Sequence, residues 1–236
     1  MDTLLKQLLL SFFVLITLNV FSQEEVDSKV IDSLYREDQF YLGTTFNLLT
    51  ARPDELSQDG LSIGVQFGFI RDIPINKRRN KAFGIGLGLA VDIFNHNLFL
   101  GEETDGETTI YTIIDDDLDV DRNRFSFYTI EAPIEYRWRT SKLDNKHKFW
   151  RIYGGVRLGY IYFFRSVFEQ AGNTVRQTDI SELNRFQYGL TLSFGYDAFN
   201  FQAYYGLNTL FNDSAQVNNE NIDLQVLRLG IQFYFL

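Results

Sequence analysis

No cysteine occurs among the 236 residues. The chain therefore carries no disulfide, no thiolate site and no lipidated N-terminal Cys. Histidine is almost as scarce: His96 and His147 are isolated, with no Ser or Asp at a spacing that would assemble a nucleophile and its base. Hydrolase or acyltransferase chemistry is not expected, and neither is a cofactor. Basic residues are a minority, 22 against 31 acids for a net charge of −9, and they form no stripe. Nucleic acid is accordingly a poor partner. Beyond residue 23 no segment approaches 18 consecutive apolar residues, so the mature chain has no membrane helix. Long low-complexity tracts are missing too, and the length leaves no room for a second full domain.

What is present begins with a secretory pattern. Lys6 precedes an apolar run from Leu8 to Val20, followed by Ser22 and Gln23. The run is too short to cross a bilayer and has the order of a cleaved signal. The expected organisation is a signal peptide over 1–22, a periplasmic N-terminal tail over 23–38 and one β-domain over 39–236.

Across that domain, apolar residues recur at a period of two, the mark of strands with two unlike faces. Leu61, Ile63, Val65, Phe67 and Phe69 alternate with Ser62, Gly64, Gln66 and Gly68; Phe83 to Ile93 alternate with Gly84, Gly86, Gly88, Ala90 and Asp92. Phe186 to Tyr196 and Leu227 to Phe235 repeat the pattern, and Gln39–Leu49, Phe125–Arg139, Trp150–Phe164 and Phe199–Phe211 keep it less cleanly. The count is eight. A soluble sandwich would carry Lys, Glu and Thr on its outer face, whereas here the face opposite the apolar row is Gly, Ser, Gln and Arg. The strands are also long for a soluble sheet and suit a tilted membrane crossing. The reading is all-β: an eight-stranded antiparallel transmembrane barrel of the outer-membrane type, in contact with outer-membrane lipid.

Connections alternate long and short, as in barrels with long external loops and short periplasmic turns. The long set is Thr50–Gly60, Gly101–Arg124, Gln170–Asn184 and Asn212–Leu224; the short set is Arg71–Lys81, Thr140–Lys148 and the Asp197–Phe199 turn. Residues 101–124 hold nine acids against two bases, and 71–81 hold five bases against one acid. Tyr136, Trp138 and Trp150 flank one short turn and fit an interfacial aromatic girdle. An eight-stranded barrel is filled by its own side chains. On strand parity the inward set includes Asp92, Glu131, Glu135, Arg137, Arg139, Arg151, Arg157, Arg165 and Arg228. Charges withdrawn from bulk water must be paired, which predicts a structural ion ladder centred on Glu131, Glu135, Arg151 and Arg157. A gated or proton-linked path is the functional alternative.

Asp115, Asp116, Asp117, Asp119 and Asp121 have alternating oxygens suited to a hard cation. Arg122 replaces the turn Gly of a calcium loop and Tyr128 its closing Glu, so a solvated acidic loop is the simpler account. The turn with Lys77, Arg78, Arg79 and Lys81 reads as a solvated basic rim or as a docking surface for an acidic periplasmic partner. The in-strand glycines lie at even spacing and are read as lumen packing rather than as a phosphate loop.

The segments Arg36 to Leu49 (REDQFYLGTTFNLL) and Phe67 to Leu89 (FGFIRDIPINKRRNKAFGIGLGL) resemble the PorT family of Bacteroidetes, called SprT in gliding species. Chain length, the signal ending in Ser22 and Gln23, and the strand count agree. The chain departs at its end, where Leu236 stands in place of a terminal aromatic and leaves Phe235 as the insertion signal. The resemblance implies a non-enzymatic accessory barrel of the type IX secretion system, which supports gliding motility, with periplasmic or outer-membrane secretion proteins as partners. A passive small-solute channel and a surface adhesion or anchoring barrel are the alternatives.

Overall fold

The computed structural model describes residues 38–58, 60–103, 108–115, 117–140 and 149–235. The expected signal, the tail up to residue 37, the connection 141–148 with His147, Asp116 and Leu236 lie outside the described residues. Period-two alternation becomes strand over most of each expected run. Among the described residues thirteen strands form in chain order: β1 Gln39–Thr50, β2 Ile63–Pro74, β3 Lys81–Asn95, β4 Leu98–Glu102, β5 Thr109–Ile113, β6 Arg122–Arg139, β7 Trp150–Gln170, β8 Asn173–Gln177, β9 Phe186–Tyr196, β10 Phe199–Gly206, β11 Gln216–Val217, β12 Glu220–Asn221 and β13 Gln225–Phe235.

Eight of these close into one antiparallel barrel in the order β6-β3-β2-β1-β13-β10-β9-β7, and β6 pairs again with β7. Register partners followed once around the wall run Trp150, Tyr196, Phe199, Phe233, Leu42, Phe67, Leu89, Ile130 and Tyr160. The path returns to β7 ten residues beyond its start. That stagger on eight strands requires them to tilt by about 40°. A closed wall has no unpaired edge, which a strand structure needs in lipid.

The outer face is apolar around the whole circumference: Leu42, Val65, Leu87, Ile130, Leu158, Leu190, Phe201 and Leu229 are all exposed. A water-facing barrel would not present such a continuous band. Where Trp150 meets Tyr196 and Phe83 meets Tyr136, ring centroids stand 5.5 and 5.9 Å apart at the short-turn end. Inside, bulky residues face glycines. A Cβ on Gly68 or Gly88 would collide with the Tyr41 hydroxyl, and one on Gly84 with the Arg137 stem. The glycine rows are therefore room for inward tyrosine and arginine.

Several boundaries differ from the sequence reading. β2 runs on to Pro74, four residues past Ile70, because Asp72 continues its inward row. β10 stops at Gly206, and residues 207–211 fold over the barrel mouth, where Leu210 and Phe211 are buried. The acidic segment 101–124 is not one loop: it contains part of the β4–β5 hairpin and the start of β6. Beyond the wall, β7 extends to pair with β8.

At the long-loop end these segments bury an apolar cap. Leu49, Leu56, Phe94, Leu98, Phe125, Phe127, Phe164, Leu183, Leu210 and Phe211 belong to one cluster, with Phe125 at 5.3 Å from Phe94 and 5.7 Å from Phe164 between ring centroids. A second buried group, Tyr41, Ile70, Tyr153 and Tyr234, lies deeper. The lumen between and below them is polar.

Candidate functional site

Among the described residues, two ion-paired clusters occupy the lumen. The lower one is built on Asp72. Its Oδ1 accepts from Arg137 at 2.7 Å and its Oδ2 from Arg139 at 2.6 Å, with all three side chains withdrawn from solvent. Arg137 also donates to Gln39 Oε1, and its guanidinium lies 4.1 Å from the Tyr153 ring centroid. Glu135 is 3.7 Å from Arg137 Nε. Arg139 donates to the backbone carbonyl of Arg79 at 2.9 Å, which ties this cluster to the basic turn.

The ion pairs of the upper cluster join four strands, β3, β6, β7 and β13. Arg228 contacts Glu131 at 2.6 Å and Asp92 at 2.8 Å, and Arg157 contacts the other oxygen of Glu131 at 3.1 Å. Asn47 donates to Asp92 at 2.8 Å, and Arg157 donates to Gln66. Tyr204 lies under Arg228, 4.7 Å from ring centroid to guanidinium carbon. Arginine suits such a place because its planar fork satisfies two acceptors at once.

Eight of the nine expected lumen charges are buried inside: Asp92, Glu131, Glu135, Arg137, Arg139, Arg151, Arg157 and Arg228. The ninth is a correction. Arg165 is exposed on the outer wall. Between β6 and β7 the register slips, so that Tyr128 pairs with Phe163 while Thr129 pairs with Ile161. Tyr162 is the extra residue of this bulge, and every later residue of β7 changes face. The centre of the ladder is corrected too. Glu131 and Arg157 hold it as expected, but with Arg228 and Asp92 in place of Glu135 and Arg151. Arg151 instead stacks on Phe149, with 4.4 Å from guanidinium carbon to ring centroid.

Sequence reasoning missed Asp72, Gln39, Gln66 and Asn47. Asp72 had a signal, since it continues the inward row Ser62, Gly64, Gln66, Gly68, Ile70. The polar but uncharged partners had none beyond parity.

The basic turn is ordered by its own asparagines. Asn76 Oδ1 accepts from Lys81 N at 3.1 Å, Asn76 Nδ2 donates to Asn80 at 2.7 Å, and Arg79 adopts a left-handed backbone with φ of 53°. Lys77, Arg78 and Lys81 are exposed, whereas Arg79 is half-buried.

At the opposite end, His96 sits under the cap. Its Nδ1 accepts from Leu98 N at 3.1 Å and its ring lies 4.4 Å from that of Phe125. Burial pushes the imidazole pKa down to about 3. The unfolded chain takes up this proton near pH 6.5, so the stability gained by excluding it is complete above that pH and is lost as pH falls toward 3. Acidification from pH 7.5 to 4.5 is expected to loosen the cap of the intact chain by on the order of 2 kcal/mol more than that of His96→Gln. Hydrogen exchange at residues 96–100 measures this. Equal acid sensitivity in both proteins would refute it. Elsewhere on the cap, Glu182 accepts from Thr109 at 3.0 Å and from Tyr111 at 3.2 Å, holding the β4–β5 hairpin against the 178–185 segment. Among the described residues no three His, Asp or Glu side chains gather to hold a metal ion.

A closed antiparallel wall of eight tilted strands, apolar outside and ion-paired inside, defines an outer-membrane β-barrel. The family of outer membrane protein beta-barrel domains matches residues 21–212, and the chain belongs to that family. Among solved structures it is similar to Ail, the attachment invasion locus protein of Yersinia pestis. In complex with the heparin analogue sucrose octasulfate, Ail matches at 15% identity over 86% of this chain and 100% of that one, with a TM-score of 0.36. Ail without that compound matches at 13% identity over the same shares, with a TM-score of 0.35. A triple mutant of the Rhodopseudomonas blastica porin matches at 9% identity over 85% of this chain and 100% of that one, with a TM-score of 0.22. No curated protein matches the chain.

Proposed function

We propose that this barrel is a non-enzymatic component or assembly factor of a protein secretion machine, with the type IX system and gliding motility as its setting. With its lumen occupied by two ion clusters under an apolar cap, the described barrel meets other proteins at its rims. The observation that carries the reading is the Asn76–Lys81 turn. It presents Lys77, Arg78 and Lys81 to solvent, and its backbone is braced from inside by Arg139. A braced, strongly basic turn at the periplasmic rim suits an acidic periplasmic partner, in keeping with the resemblance to the PorT family.

Deletion of the gene in its own host, with cargo proteins measured in the medium and in the periplasm, tests the proposal. Loss from the medium with periplasmic build-up, restored by the intact chain but not by Lys77→Glu/Arg78→Glu/Lys81→Glu, is the supporting outcome. Normal secretion would end it. The ordered β4–β5 hairpin, latched by Glu182, favours surface adhesion or anchoring as the second reading, and that function would survive the same charge reversal. The channel reading is tested separately. The purified chain is expected to give no steady conductance in planar bilayers, because Arg137, Arg157 and Arg228 are buried in the lumen and Phe94, Phe125 and Phe164 pack over it; stable open steps would contradict that.

A further inference from the structure

Arg165 is turned outward by the bulge, and it does not stand alone there. Directly opposite residues on neighbouring strands share a face, and Val167 has Arg124 as its partner on β6 and Arg176 on β8. Arg165, paired with Ser126, lies two residues from Val167 on the strand between them. From strand spacing and rise, Arg124 and Arg176 stand about 10 Å apart, with Arg165 some 6–7 Å along the wall. Val167, which shares their face, is only 5% exposed.

Among the described residues none of the three arginines forms an ion pair. Two nearby acids are engaged by other cations, Glu169 by Arg122 at 3.5 Å and Asp179 by Arg185 at 3.3 Å, while Asp121 lines the same surface cavity as Arg124 without an ion pair to it. Among the described residues the three cations are thus left without a direct carboxylate partner.

Its height on the wall selects the ligand. One step toward the membrane from Ser126 and Arg165 lies the pair Tyr128 and Phe163, with ring centroids 5.4 Å apart, and Tyr162 is 6.2 Å from Tyr128. Those rings form the aromatic girdle at the long-loop end, where lipid hydrocarbon gives way to headgroups. Arg165 stands on the outer face just beyond these rings, and Arg124 and Arg176 flank Val167 one step further out, where β6, β7 and β8 continue past the wall. We infer that Arg124, Arg165 and Arg176 form a site for the phosphate of an outer-leaflet phosphoglycolipid. Guanidinium forks match phosphate oxygens in pairs, and a basic cluster at a membrane surface recruits anionic headgroups. The assignment rests on the long loops facing outward, independently of the secretion reading. The bulge acquires a purpose, since without Tyr162 as an extra residue Arg165 would point into the lumen.

The test uses the full chain in lipid nanodiscs titrated with phosphorylated lipid A or with the same lipid dephosphorylated. The intact chain is expected to bind the phosphorylated form at least about tenfold more tightly, the scale of three exposed charge contacts. Arg124→Gln/Arg165→Gln/Arg176→Gln should bring the ratio near one, while Lys77→Gln/Arg78→Gln/Lys81→Gln, an equal charge loss at the other rim, should leave it unchanged. Heat-modifiable migration in gels checks folding; should the triple variant fail to insert, Arg165→Gln and Arg176→Gln, both at exposed side chains, read the same preference singly. A ratio near one for the intact chain, or an unaltered ratio in the arginine variants, would overturn the site. So would heparin binding that depends on these arginines while the lipid preference does not, which would assign them to a soluble sulfated glycan.

Discussion

Glu131→Ala is expected to lower the stability of the folded barrel by about 3–5 kcal/mol, the cost of leaving buried cations without their partner. Glu131 is the one acid shared by Arg157 and Arg228, at 3.1 and 2.6 Å, and its side chain is only 3% exposed. Arg228 retains Asp92, but Arg157 is left with the neutral Gln66. The loss should therefore come mainly from Arg157. Glu131→Leu/Arg157→Met removes both members of the pair and leaves Arg228 on Asp92, so it should recover at least half of the deficit. Urea unfolding of the barrel in vesicles measures both variants. A single-variant loss below about 1 kcal/mol would mean that the lumen solvates its arginines without Glu131.

The second large effect is expected at the cap. Phe125 is fully buried and its ring centroid lies within 6.4 Å of those of Phe94, Phe127, Phe164 and Phe211. Phe125→Ala removes the ring around which the long connections assemble, at a cost of about 3–5 kcal/mol for a truncated core aromatic. The damage should be local as well as global. Segments 178–185 and 207–224 reach the cap through Ile180, Leu183, Leu210 and Phe211, so brief protease treatment should cut them first while the wall stays intact. The outward Phe194, 48% exposed on the lipid face, supplies the contrast: Phe194→Ala should lose less and leave the loops protected. Equal protease resistance of Phe125→Ala and the intact chain would show that the loops hold without the cap.

Most of the wall was legible because side-chain parity is a local property. Gly84 to Asp92 face inward and Phe83 to Ile93 outward for the same reason, the pleat, and no distant contact alters it. The same rule placed eight lumen charges. It failed at Arg165, since a bulge adds one residue to one strand of a pair, and nothing in the run Tyr160 to Phe164, with aromatics on both faces, marks which residue is extra. Asp72 was lost differently, by ending β2 at Ile70 when its polar successors looked like a turn. The cap was illegible for a third reason. Leu210 and Phe211 read as two more strand residues, and only the bend after Gly206 turns both of them inward.

By itself the sequence determined the covalent and local terms: no thiol chemistry, strands at period two, a lipid-facing apolar row, an acidic rim opposite a basic one, and arginines obliged to find partners inside. The tertiary structure decided what depends on residues far apart in the chain. Which acid meets which arginine is one such matter, since Arg228 and Glu131 are separated by 97 positions yet bond at 2.6 Å. The ten-residue stagger that closes the wall, the bulge that moves Arg165 from the lumen to the outer face, and the cap that covers the long-loop end are others. Pairing across a closed barrel is a condition on all eight strands at once. A pattern read along one strand fixes its faces but leaves its register open.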